Sequence, residues 1–136
     1  MAFEKVKLEE IGMDIENVKN RIDRYIQNPS PKQTLLAEAT MHKSTYCAYN
    51  KECNILFLSI TPDSYIYRDG YDCHALVDAN QITLLECDIS RYENRVDIEC
   101  KTTTLASKDT MRKLEEAYQC LFGSYRNTNF TLYNKQ

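Results

Sequence analysis

The sequence predicts an α+β domain: an N-terminal helix, an antiparallel β-meander of about five to six strands, and a C-terminal helix packed on one sheet face. Three observations predict it. Apolar residues recur at steps of three and four near both ends of the chain. The middle alternates with period two between turn-forming residues. One strand of that middle is dry on one face and charged on the other. At 136 residues the chain is long enough for one domain with a real core, residues 1–136.

The first element is a helix over residues 8–27. Leu8, Ile11, Ile15, Val18, Ile22 and Tyr25 form a narrow apolar seam among charged and amide residues. Pro29 and Pro31 stop it, since each removes a backbone donor. Gly12 within it costs roughly 1 kcal/mol against alanine, so a start beyond Gly12 is the alternative.

Residues 34–104 are assigned to the sheet. Residues 35–49 admit two readings: as a helix Leu35, Leu36 and Ala39 share one side, while as a strand Leu35, Ala37, Ala39 and Met41, then Thr45, Cys47 and Tyr49, alternate more cleanly, so one long strand is preferred. After the turn 50–52, residues 53–60 are apolar on both faces and read as a central strand. Residues 65–68 and 73–78 flank Asp69-Gly70, a dipeptide suited to a hairpin turn. Residues 82–89 and 95–104 are joined by the polar loop 90–94. In the last strand Val96, Ile98, Cys100 and Thr102 face one way, and Arg95, Asp97, Glu99 and Lys101 the other.

The second helix covers 107–122. Ser107 is a suitable N-cap and Asp109 complements the helix dipole. Met111, Leu114, Tyr118 and Leu121 make its buried stripe, and Gly123 ends it. The tail, 123–136, holds one short strand over 130–133. The N-terminal helix either lies beside the C-terminal helix on the sheet or packs against a partner's copy; because the C-terminal helix covers most of the single dry face, the contact between chains is favoured.

Composition narrows the function classes. A net charge of −3 argues against bulk nucleic-acid binding. The charged first residues lack the apolar core of a signal peptide, and no apolar run reaches a membrane span, which predicts a cytoplasmic chain with reduced cysteines. The three glycines stand too far apart for a phosphate loop.

A zinc site from Cys47, Cys53, Cys73 and His74 has poor ligand spacing, and Cys87, Cys100 and Cys120 fall on buried faces, so core packing is favoured for all six. No metal or cofactor is expected. Cys73 and His74 are strand neighbours and point apart, which argues against a catalytic dyad. Glu86, Asp88, Asp97 and Glu99 gather on one sheet surface, where a solvated outer face is favoured over metal-assisted or acid–base catalysis.

The strongest recognition candidates are Tyr65, Tyr67, Arg68 and Tyr71 about one hairpin, with Arg91 and Tyr92 in a neighbouring loop. The function expected is non-enzymatic: protein–protein contact, with self-association through Leu8, Ile11, Ile15, Val18, Ile22 and Tyr25. A viral or phage accessory protein that blocks a host factor fits this composition. The alternative is binding of a small nucleotide-like ligand, and a carboxylate- or metal-dependent enzyme comes third.

Overall fold

The computed structural model describes residues 3–12, 14–25, 46–59, 70–123 and 127–136. Their elements are strand β1 (Glu4–Lys7), a 3-10 turn (Leu8–Glu10), helix α1 (Ile15–Tyr25), strands β2 (Tyr46–Asn50), β3 (Ile55–Ser59), β4 (Gly70–Val77), β5 (Ile82–Arg91) and β6 (Val96–Thr102), helix α2 (Lys108–Phe122) and strand β7 (Thr128–Tyr133). The seven strands form one sheet in chain order. Every neighbouring pair is antiparallel except β6–β7, which is parallel.

This corrects the predicted fold class. The protein is mostly sheet, a seven-stranded mixed half-barrel with one C-terminal helix and one short helix. It is not an N-terminal helix followed by a meander with a helix laid on its face. Two strands account for much of the difference. β1 was invisible because Glu4, Lys5 and Lys7 surround a single apolar Val6. An edge position tolerates those charges, and Lys5 and Lys7 lie over the Tyr46 ring, 5.0 and 5.9 Å from its centroid. β7 is longer than the short strand expected in the tail. It runs parallel to β6 because α2 lies between them in sequence, as a crossover connection requires.

The opening helix is also shorter than expected. Leu8 belongs to the 3-10 turn, and α1 begins at Ile15, beyond Gly12. Asp14 sets that start: its Oδ1 accepts from the N–H groups of Glu16 (3.0 Å) and Asn17 (3.3 Å). Of the proposed 35–49 strand, only β2 lies within the described residues. Gly70 pairs with Ile89 inside β4 rather than forming a hairpin tip. Asp69 and 65–68 lie outside the described residues. The β2–β3 turn closes on Asn54, held at φ 54°, while Asn50 Oδ1 accepts from the Cys53 N–H at 3.2 Å.

Each face of the sheet carries a buried core. One core holds Ala48, Ile55, Phe57, Leu76, Leu85, Ile89, Val96 and Ile98 with Leu114, Ala117, Tyr118, Leu121 and Phe122 of α2. The alternate residues of the same strands, Cys47, Leu56, Leu58, Ala75, Val77, Ile82 and Leu84, form a second core with Leu8, Val18 and Ile22. The two helices therefore serve opposite faces, and the seam of α1 is buried by the chain's own sheet. A helical period shows that a stripe is covered but not by what.

α2 makes its main approaches to β1, β2 and β7, strands near the two ends of the sheet. Ser107 Oγ caps it by accepting from the Thr110 N–H at 3.1 Å. Gly123 ends it, donating its N–H to the Gln119 carbonyl at 2.8 Å, and a Cβ there would collide with that same oxygen.

Ile22→Ala is expected to cost about 2–5 kcal/mol, read as a lowered urea midpoint that does not change with protein concentration. Ser107→Ala is expected to cost about 1 kcal/mol in the same measurement.

Candidate functional site

Three regions compete for function. The first is the tyrosine and arginine set. Tyr65, Tyr67 and Arg68 lie outside the described residues. Tyr71 is in β4, its backbone opposite Asp88, which places it at the same sheet end as Arg91 and Tyr92. Tyr92 is 49% exposed, and the Arg95 guanidinium stacks 4.2 Å from its ring centroid. The Tyr92 N–H donates to the Arg95 carbonyl at 2.8 Å and closes the turn. A hollow of about 410 Å³ lies between this turn and Asn127, just before β7.

Of the proposed self-association seam, the side chains that are described pack within the chain. Leu8, Val18 and Ile22 are buried, and Ile11 packs partly against the same core. Ile15 and Tyr25 are in α1, but their side chains lie outside the description. The described part of that face, Val18 and Ile22, is covered by the sheet.

The second region is the far edge of β7. Among the described residues no strand pairs with it, and β1 is the opposite end of the sheet. The two edges differ chemically. β1 is four residues long and carries three charges, features that discourage pairing with another strand. β7, Thr-Asn-Phe-Thr-Leu-Tyr, is six residues long and has no charge, proline or glycine. Its residues alternate: Thr128, Phe130 and Leu132 are half-buried, while Asn129, Thr131 and Tyr133 are exposed. Beside it runs a groove of about 510 Å³ between β7 and the α2 face bearing Lys108, Met111, Arg112 and Glu115. Asn134 fixes the end of β7: its Oδ1 accepts from the Ala106 N–H (2.8 Å), and its Nδ2 donates to the Ala106 carbonyl (2.7 Å).

The third region is a buried polar cluster. His74 of β4, Cys87 of β5, Cys100 of β6 and Tyr118 of α2 are all essentially inaccessible. Cys87 and Cys100 face each other across β5–β6 and are joined as a disulfide. The Tyr118 hydroxyl lies 2.9 Å from Cys100 Sγ and 3.3 Å from Cys87 Sγ, and it also bonds His74 Nδ1. Sequence reasoning placed both cysteines on inward faces but did not join them. Their equal distance from the 93–94 turn was the available signal. His74 and Tyr118 join them only through tertiary packing. The quartet considered for zinc does not assemble, because Cys47 and Cys53 are apart from His74: Cys47 is in the other core, and Cys53 is exposed in the β2–β3 turn.

The acidic face is solvated where it is described. Glu86 pairs across strands with Lys101, and Asp88 with Glu99. The Asn129 amide, then Arg95, hold the Asp97 carboxyl below its usual range. A further hollow of about 800 Å³ is bordered by Arg21 and Arg24 of α1 and by Ser107 and Thr110 at the start of α2. No described helix is long and apolar enough to cross a membrane.

Burial pushes the Cys47 thiol up to about 12, with smaller contributions from Cys120 and Glu10. Native protein treated with iodoacetamide near neutral pH is therefore expected to be labelled at Cys53 and spared at Cys47, as read by peptide mass spectrometry. The raised value also fixes a stability window. The unfolded chain ionises first, so Cys47 costs the fold nothing below the ordinary value of 9.0 and destabilises it as pH climbs from there towards about 12. Comparison of the chain with protein-family models, curated proteins and solved structures finds no match.

Proposed function

We propose that this chain is a non-enzymatic binding protein that docks an extended segment of a partner protein along the edge of β7 that no described strand covers. The carrying observation is the contrast between the two sheet edges: β1 is short and charged, β7 longer and uncharged. An added strand gains backbone hydrogen bonds worth about 0.5–1.5 kcal/mol each, and alternate side chains supply specificity. The groove beside α2 receives one set of those side chains over Met111, Phe130 and Leu132, which argues for apolar residues at alternate positions of the partner. At the Asn127 end the segment approaches the Tyr92 turn, where Arg91 and Arg95 favour an acidic residue.

The small-ligand reading is carried by the hollow beside Arg21 and Arg24, whose guanidinium groups suit an anionic, nucleotide-like molecule. It is the weaker reading, because Arg21 already donates to the Asp78 carbonyl.

Selection of displayed random peptides on the full chain is expected to yield sequences that alternate apolar and polar residues with an acidic end. Hydrogen exchange should then show protection at β7 amides on peptide binding. Thr131 is exposed, so Thr131→Lys should leave the melting temperature unchanged while weakening the peptides by about tenfold or more, as charge on an edge strand opposes pairing. The proposal fails if Thr131→Lys binds equally well or if protection appears elsewhere. A dimer in light scattering with β7 already protected would assign the edge to a second copy and overturn the partner reading.

A further inference from the structure

We propose that His74, Cys87, Cys100 and Tyr118 form a binding site for a thiophilic divalent cation of the zinc type when the two cysteines are reduced. Among the described residues, His74, Cys87 and Cys100 are the group of metal-donor side chains whose ligand atoms all lie within 4.8 Å of one another. Cys87 Sγ is 3.7 Å from His74 Nδ1. A tetrahedral ion with bonds of about 2.3 Å to sulfur and 2.0 Å to nitrogen spaces such a pair at roughly 3.5 Å. The Tyr118 oxygen, hydrogen-bonded at 2.9 and 3.3 Å to the two sulfurs, lies nearer than such a tetrahedral spacing and takes the fourth position as the sulfurs part on reduction.

Charge and softness select the ion. Every member of the cluster is buried, so a net charge there is costly. Two thiolates neutralise one divalent cation, while the imidazole and the phenol contribute no charge. Sulfur and imidazole donors favour zinc over magnesium or calcium, which prefer oxygen. The donors come from β4, β5, β6 and α2, so the ion would join the sheet to the helix that plugs it. Cys47 and Cys53 lie elsewhere, and no donor comes from β7.

The disulfide and the ion are mutually exclusive occupants. An added dithiol supplies two electrons and two protons. These cleave the S–S bond to two thiols, and the dithiol becomes its own disulfide. Binding of the cation then forms two metal–thiolate bonds and releases two protons to solvent.

The test uses the full chain, reduced with a dithiol, freed of it without oxygen, and titrated with Co²⁺ and then Zn²⁺. One Co²⁺ per chain is expected, with thiolate-to-cobalt charge-transfer absorption that Zn²⁺ abolishes by displacement. Cys87→Ser, Cys100→Ser and His74→Gln should each weaken binding by more than about 100-fold, since even the outer partners of metal ligands are worth roughly 10–100-fold. Cys53→Ser and Cys120→Ser should bind as the unaltered chain does. X-ray absorption of the unaltered zinc-loaded chain needs no variant to fold, and should report two sulfur and two nitrogen or oxygen neighbours. Failure of the reduced chain to bind overturns the proposal. So does equal binding by the oxidised chain, equal binding by a folded Cys87→Ser or Cys100→Ser variant, or a different ligand set.

Discussion

Tyr118 stands where the sheet and α2 meet, and the curl of the half-barrel depends on that contact. Its ring centroid lies 4.8 Å from Phe57 of β3, 5.3 Å from His74 of β4 and 5.3 Å from Phe130 of β7. One side chain thus touches the middle and one end of the sheet together. Phe122, about one helical turn further on, adds contacts to His74 and Phe130. Large buried side chains each contribute about 1.5–3 kcal/mol by leaving water. Those of α2 are spent holding β1 and β2 towards β7. A helix laid on a flat sheet would instead contact mainly the central strands.

From that insertion the rest of the architecture follows. With α2 on one face, the apolar residues of β3 that point the other way need a separate cover, and Val18 and Ile22 of α1 provide it against Leu56 and Leu58. The outer face remains solvated towards the far end of β5, where Glu86, Asp88 and Ser90 are exposed. Among the described residues the half-barrel also keeps two edges. One is guarded by charge in β1, and the other, in β7, is not. The candidate docking edge is therefore a consequence of incomplete closure, set beside a groove that α2 itself helps to build.

The candidate sites were legible in uneven measure. Arg91 and Tyr92 were expected in a loop from polarity alone; the structure makes Arg91 the last, exposed residue of β5, opposite Val96, and only Tyr92 belongs to the turn beyond it. The β7 edge was not legible: residues 130–133 read as a short tail strand, and nothing local says that such a strand joins a sheet in parallel or lies at its end. For the buried cluster, the pairing of Cys87 with Cys100 could be counted from the turn, because antiparallel residues equidistant from a turn are opposed. His74 and Tyr118 could not be added. They arrive from a different strand and a helix, and no spacing in the chain encodes that meeting.

What the chain determined by itself is local. Period-two alternation in β6 decided which side chains are buried, Ser107 decided where α2 starts, and the apolar run of β3 required cover on both faces. Tertiary structure alone decided what covers each face. The α1 stripe looked like a contact between chains because only one dry face was counted; a second face, made by the alternate residues of β2 to β5, takes it up. β1 became a strand despite its charges because β2 offered an edge to pair with. In each case periodicity carries the orientation of a side chain relative to its own backbone, whereas the identity of the surface opposite depends on contacts distant in sequence.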